Sequence, residues 1–368
     1  MSDLLSRTPD APPLHVQVSR ILKERIVSGA WRSGSSIPAE KELCEEFGVA
    51  RGTIRQALQT LESEGVLHRQ QGRGTFVIYT PNQPPSRQLA FVVPYVRDSS
   101  LPAILIGFQQ VAEQANFSVV FNHVNNSIEQ QERVLRKLVG DGTAGIALYP
   151  VDSETQPEIE ALVRARYPLV LIDRYLRGTS TDYVMSDHFG GALRGTHYVL
   201  AQGHRRVGFV SWLSPAVSME HRYLAYAQAL LERGIPVDEA LVCRVEGYPL
   251  IDLSPLCEYL SSPGRPTAVF AANDQIAIAL YRAAAIVGLA IPKDLSILGF
   301  DNLDVSDHLD PPLTTLAQPF VAIGQEAAKI LIRRVKGDGG ALEQISLPPE
   351  LVIRSSCIRP EPDNLNAS

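Results

Sequence analysis

Residues 37–77 read IPAEKELCEEFGVARGTIRQALQTLESEGVLHRQQGRGTFV, and this stretch decides the fold of the first part of the chain. Leu43 and Phe47 stand four apart on a short helix that stops at Gly48. The next helix opens with Arg51, Thr53 and Arg55 on one polar side, while Ile54, Ala57, Leu58 and Leu61 recur at the spacing of a buried stripe. With that stripe turned inward, the cations must face outward. Two helices so joined form a helix-turn-helix whose second helix carries the reading face. After Gly65 the pattern changes to a short hairpin, 66–69 and 75–78, around Gln70, Gln71, Gly72, Arg73 and Gly74. Glycines on both sides of an arginine suit a tight turn that needs positive φ and a close approach to a partner, which is what a wing does.

Working outward, residues 13–77 resemble the winged-helix head of the GntR family of bacterial transcription regulators. The resemblance is carried in order by Pro13-Leu14, Ile37-Pro38-Ala39-Glu40, Gly48-Val49-Ala50-Arg51-Gly52-Thr53-Ile54-Arg55 and the closing Gly72-Arg73-Gly74-Thr75-Phe76-Val77. It implies DNA contacts from Lys41, Arg51, Thr53, Arg55 and Gly72, with Gln71 at the wing tip. Arginine at the start of a groove-entering helix can pair bidentately with guanine or phosphate. The family more often has arginine where this chain has Lys41, and a lysine favours a point-charge phosphate contact over base reading.

Composition agrees with a DNA reader only when the chain is divided. The net charge of the 368 residues is −6. The first eighty residues are close to neutral, with Arg51, Arg55, Arg69 and Arg73 gathered on the reading helix and wing, and the acidic excess lies beyond them. The length suggests two or three compact units. Four cysteines at 44, 243, 257 and 357 lack any metal-ligand spacing and read as reduced thiols of a cytoplasmic protein. No stretch has the apolar length of a signal sequence or a membrane span.

Residues 1–12 form a polar lead, a first helix is expected over 14–28, and 79–87, YTPNQPPSR, read as an extended linker. From residue 88 to 358, with a tail at 359–368, short apolar runs alternate with helical patterns. LAFVVP, SVVFNHV, AGIALYP, PLVLID, RVGFVS, LVCRVE, TAVFAAN and LSILGFD are the expected strands. Helices are expected near 102–116, 128–139, 188–202, 219–234 and 274–288. Continuous apolar strands belong to sheets covered on both faces, so the class is doubly wound α/β with parallel sheets. The strands are too many for one sheet, and the rhythm of 88–182 returns in 183–300, which predicts two lobes.

The same region is similar to the LacI and periplasmic sugar-binding fold over about residues 88–355. The landmarks are VLIDR at 170–174, Ser186-Asp187, Gly203-His204-Arg205-Arg206, PTAVFAAND at 266–274, ILGFDN at 297–302 and PPLTTL at 311–316. In that fold a small molecule sits between the lobes at the carboxyl ends of the strands, where Asp173, Arg174, Asn273, Asp274 and Asp301 fall. By this resemblance Asp173, Arg174, Ser218, Arg222, Asn273 and Asp301 are expected to bond a ligand, with Tyr248 and Phe320 stacking on it and Tyr95 flooring the cleft. Each has a plainer alternative. Asp173 can cap a turn, Arg222 can pair with an acidic helix neighbour such as Glu220, and Tyr248 can be ordinary packing.

The chain therefore reads as a ligand-responsive transcription regulator, a repressor binding a palindromic operator as a homodimer and released by a small carbohydrate. A sugar receptor or an activator of the same architecture is the alternative. The double architecture resembles arabinose-responsive repressors, which implies a monosaccharide such as a pentose. No cofactor is expected. Nucleophile elbow, phosphate loop and zinc-protease motifs are missing, residues 150–292 contain no lysine for a Schiff base, and His188, His197 and His204 are spaced onto different faces.

Overall fold

The computed structural model describes residues 5–6, 11–27, 30–31, 34–70, 74–78, 87–96, 99–214, 216–246 and 252–360. The chain divides into two compact units, 1–86 and 87–368. In the first, helices α1 (Leu14–Val27), α2 (Glu40–Phe47) and α3 (Arg51–Ser63) precede an antiparallel pair, β1 (Leu67–Gln70) and β2 (Gly74–Val77). Each helix turns one stripe inward. Val18, Leu22 and Ile26 meet Leu43, Phe47, Ile54, Ala57, Leu58 and Leu61, and Leu67 and Val77 close the core from the hairpin. Gly48 ends α2 in the left-handed region at φ +62°, which sets the turn into α3. The hairpin pairs Leu67 with Val77, so its strands sit one residue away from the expected limits. Residues 71–73, the wing tip, and 79–86, most of the linker, lie outside the described residues, as do parts of the lead and tail.

The second unit holds two six-stranded sheets. The first contains β3 (Gln88–Val93), β4 (Ser118–His123), β5 (Gly145–Leu148), β6 (Leu169–Ile172) and β7 (Asp182–Ser186), with α4 (Leu101–Gln114), α5 (Ile128–Gly140) and α6 (Pro157–Arg164) between them. The chain then crosses through α7 (His188–Ala201) to β8 (Val207–Trp212), α8 (Val217–Glu232), β9 (Val242–Val245), α9 (Ser254–Ser261), β10 (Ala268–Ala271), α10 (Asp274–Val287), β11 (Ser296–Asp301) and β12 (Thr314–Ala317). It returns through α11 (Phe320–Val335) to β13 (Gln344–Leu347) in the first sheet and ends with β14 (Glu350–Val352) in the second.

The sheet orders are β13-β7-β6-β5-β3-β4 and β14-β12-β11-β10-β8-β9, parallel throughout except for β14. Each has its order reversed at the strand that opens the lobe, β3 and β8, which are flanked by β4 and β5 and by β9 and β10. Such reversals open crevices at the carboxyl ends of the strands. Every residue of β5, β6 and β10 is buried, as uninterrupted apolar runs predict for a sheet covered on both faces.

The lobe boundary differs from the sequence expectation. Residues 182–186 pair with β6 and complete the first lobe instead of opening the second, and α11 packs on α4 in the first lobe although it follows the second in sequence. Three crossings, at 187, 318–319 and 348–349, therefore join the lobes.

Candidate functional site

On the head, Glu40 organises the polar face. It is the first residue of α2, and its carboxylate accepts from Arg51 Nε at 2.9 Å, from Arg55 Nε at 3.3 Å and from Arg69 on β1. Its side chain is 16% exposed whereas Arg51 and Arg55 are 70% and 60% exposed, so the acid is a recessed anchor under cations that reach outward. Burial pushes its carboxyl up, but the hydrogen bond from Arg51 and the charge and bond of Arg55 bring it below the usual range, and it stays ionised. Reading helix and wing strand are thus joined through one carboxylate. Lys41 is exposed beside it and Thr53 half-buried on α3; Gln71 and Gly72 lie outside the described residues.

In the second unit a cleft of about 500 Å³ lies between the lobes. Its walls are the strand ends: Tyr95 after β3, Tyr149 after β5, Asp173 and Arg174 after β6, Trp212 ending β8, Asn273 after β10, Asp301 ending β11 and Gln318 after β12. Ser218 and Arg222 enter from α8. Tyr95, Asp173, Arg174, Ser218, Arg222, Asn273 and Asp301 are thereby brought together. Phe320 is not among the cleft residues; it starts α11 and packs against the first-lobe core, because the helix turns its ring toward that core. Tyr248 lies outside the described residues.

The charges in the cleft interlock. Arg222, 2% exposed, donates from Nη1 to the Ala272 carbonyl at 2.5 Å and from Nη2 to His188 Nδ1 at 3.1 Å, and stands 3.8 Å from Asp301 Oδ1. Its guanidinium lies 3.9 Å from the centre of the Phe300 ring. Glu220 is not its partner, since that carboxylate pairs with Arg177 across the lobes. Arg174 donates to the Tyr149 hydroxyl at 3.1 Å and to the Val151 carbonyl at 3.3 Å, and its Nη2 is 3.4 Å from Asp173 Oδ2. Burial pushes Asp173 up, but the charges of Arg174 and Arg222 and a hydrogen bond from Tyr149 outweigh it and hold the carboxyl low. Gln318 donates to Asp301 Oδ1 at 2.6 Å. Both cleft carboxylates sit at positive φ, +68° for Asp173 and +131° for Asp301, a conformation that costs free energy for a residue with a Cβ.

Asn273 and Asp274 have supporting duties. Asn273 Oδ1 caps α10 by accepting from Ile276 N at 3.0 Å, leaving its amide nitrogen for other use. Asp274 is fully buried and accepts from Leu303 N at 3.0 Å, Ser306 Oγ at 2.6 Å and Thr315 Oγ1 at 2.6 Å, fixing the loop that presents Asp301. Among the described residues no group of three or more His, Cys, Asp or Glu converges as metal ligands would. No helix among them is long and apolar enough to cross a membrane.

Sequence reasoning missed Glu40, Trp212 and His188. Glu40 stood inside a quoted motif, and its place at the start of the helix before the cations, eleven residues ahead of Arg51, was the available signal. Trp212 was one residue beyond the limit given to its strand. His188 had no local signal, because its partners lie 15 and 34 residues away.

A head with outward arginines and a two-lobe cleft define a DNA-binding regulator with a small-molecule site. Residues 14–77 match the family of bacterial regulatory proteins, gntR family, and residues 196–357 match the periplasmic binding protein-like domain. The chain is 29% identical over 357 residues to the arabinose metabolism transcriptional repressor of Geobacillus stearothermophilus, covering 94% of this chain and 97% of that one. It is 27% identical over 330 residues to the transcriptional repressor CytR of Escherichia coli K12, covering 86% and 95%. A LacI family regulator from Enterococcus faecium, solved with bound ribose, superposes with a TM-score of 0.64 at 25% identity over 74% of this chain and 99% of that one. The chain thus joins a head that matches the gntR family to a unit that matches the periplasmic binding protein-like domain over residues 196–357.

Proposed function

We propose that the protein is a transcriptional repressor that binds a palindromic operator as a homodimer and releases it when a neutral sugar enters the cleft. The observation that carries this reading is the convergence of Asp173, Arg174, Arg222, Asn273 and Asp301 between two lobes of a chain whose head presents Arg51 and Arg55. Arg51 and Arg55 read bases, Lys41 holds phosphate, and Gln71 and Gly72 approach the backbone from the wing. In the cleft, Asp173 and Asp301 accept from ligand hydroxyls, the Asn273 amide donates, and Trp212 with Tyr95 covers the apolar face of the ring. The relatives favour a pentose, and L-arabinose and ribose are the first ligands to try.

Anisotropy titrations of the full chain on fragments from its own promoter region, with and without these sugars, test the proposal. Salt-sensitive, sequence-selective binding that a sugar weakens at least tenfold is expected. Binding without sequence preference would remove the regulator reading, and selective binding indifferent to every sugar would remove the carbohydrate.

A further inference from the structure

His188 lies behind the cleft rather than in it, and it touches one ligand-facing residue from each lobe. The ring is fully buried at the first residue of α7, directly after the first crossing. Nε2 is 3.1 Å from the carbonyl oxygen of Asp173, at the end of β6 in the first lobe. Nδ1 is 3.1 Å from Arg222 Nη2, on α8 in the second. A guanidinium can only donate, so Nδ1 must accept and the ring proton must sit on Nε2, where it meets a carbonyl that can only accept. The tautomer is fixed by both neighbours at once.

We propose that His188 is a positioning residue that couples the lobes: as the neutral Nε2–H tautomer it sets Asp173 against Arg222 and so determines ligand affinity. Asp173 needs such a hold. Its backbone is at φ +68°, its N–H is tied to Val184 O at 3.0 Å within its own lobe, and His188 supplies the tie to the other side of the hinge. Arg222 needs it as well, since its other contacts, Ala272 O, Asp301 and the Phe300 ring, all belong to the second lobe. The charged and titratable groups facing the ring are Arg222, Asp173 and His221. Burial, and then the Arg222 charge, push the imidazole down to about 3, so the neutral form persists at every physiological pH.

The inference rests on the cleft being the ligand site, and its tests separate the two. Long-range nitrogen–proton spectra of the labelled full chain, with the His188 ring assigned by its loss in H188Q, are expected to show an Nε2–H ring unchanged from pH 8 to pH 5. An Nδ1–H ring, or one that titrates in that interval, overturns the proposal whatever the ligand is. With L-arabinose as the calorimetric probe, H188Q, which can both accept and donate, is expected to bind within threefold of the parent. H188L is expected to lose more than tenfold while keeping operator binding, with a lower melting temperature because Arg222 Nη2 and the Asp173 carbonyl lose their partner. Parent-like affinity in H188L overturns the proposal, as does equal loss in both variants. Where H188L fails to fold, the ring spectrum and H188Q decide. If the parent does not bind L-arabinose, arabinose is what fails as the ligand, and the spectrum still tests the ring.

Discussion

The carboxylate of Glu40 accepts from Arg51 Nε at 2.9 Å, so the first residue of one helix holds the first residue of the next. Arg55 and Arg69 share the same carboxylate. Such an anchor limits the rotamers of long side chains before DNA arrives, and pre-ordering favours specific over non-specific contact. Glu40→Gln is expected to weaken selective operator binding about tenfold, of the order of 1–2 kcal/mol. Binding to scrambled duplex should hold or strengthen, because a negative charge leaves a face that meets phosphate. Parallel anisotropy titrations on both duplexes check this, and an unchanged ratio between them would remove the anchoring role.

How far the fold was legible follows from where burial is decided. Of the eight expected strands, the six inner ones, β3, β5, β6, β8, β10 and β11, announced themselves because sheets covered on both faces need unbroken apolar runs, as in LVLI and AVFA. The edge strand β13 did not, since QISL alternates exposed and half-buried positions. Lobe membership was hidden for another reason: Ser346 pairs with Met185, and no local pattern specifies a partner so far away in sequence. The polar cleft residues could be read because carboxyl ends of parallel strands are fixed once the strands are. Phe320 could not, since nothing local says which way an aromatic at a helix start will turn.

The α4–α11 contact that holds α11 in the first lobe is made backbone to backbone. A Cβ on Gly324 would press into the Ile104 carbonyl and stand 2.7 Å from Phe108 N, and one on Gly107 would meet the Val321 carbonyl in the same way. Main chain cannot swing aside as a side chain can, so the helices must separate. Gly324→Ala is expected to destabilise the effector domain by about 3 kcal/mol, near the upper end for overpacking. Urea unfolding followed by tryptophan fluorescence should show an earlier midpoint, with operator binding intact at low urea. A midpoint equal to the parent's would refute so close an approach.

Acid should weaken the effector domain before its carboxylates titrate. Burial lowers His188 to about 3, and burial also lowers His204 and His221. A histidine depressed in the folded state leaves the unfolded chain holding more protons between the two values. Its contribution is therefore whole above about 6.5 and is lost as pH falls toward the folded value. For His188 alone the loss reaches about 2 kcal/mol at pH 5. Asp274, raised by burial, acts in the opposite sense above its ordinary value. Melting temperatures from pH 8 to pH 5 are expected to fall below pH 6.5, and H188Q should flatten that fall. A parent curve level to pH 5 would contradict a buried neutral imidazole.

The ion pair between Asp182 and Arg334 offers a test of how β7 and α11 are joined. Arg334 Nε donates to Oδ2 at 2.8 Å and Nη2 to Oδ1 at 2.9 Å, and Glu343 N adds a third bond to Oδ1 at 2.8 Å. The two side chains are only 5% and 11% exposed. Removing the acid alone leaves a guanidinium and a backbone amide without their acceptor, so Asp182→Ala is expected to cost about 3 kcal/mol. Removing both charges relieves most of the guanidinium's part of that penalty, because the desolvation of Arg334 disappears with it. D182A combined with R334M should therefore be less destabilised than the sum of the single variants by more than about 1 kcal/mol. Strict additivity in urea unfolding would mean that the pair does not hold α11 to the first-lobe sheet. The residual cost of the double variant then combines the Glu343 amide, whose acceptor is lost, with the carbonyls of Asp338, Gly340 and Ala341, which lose the Arg334 donors.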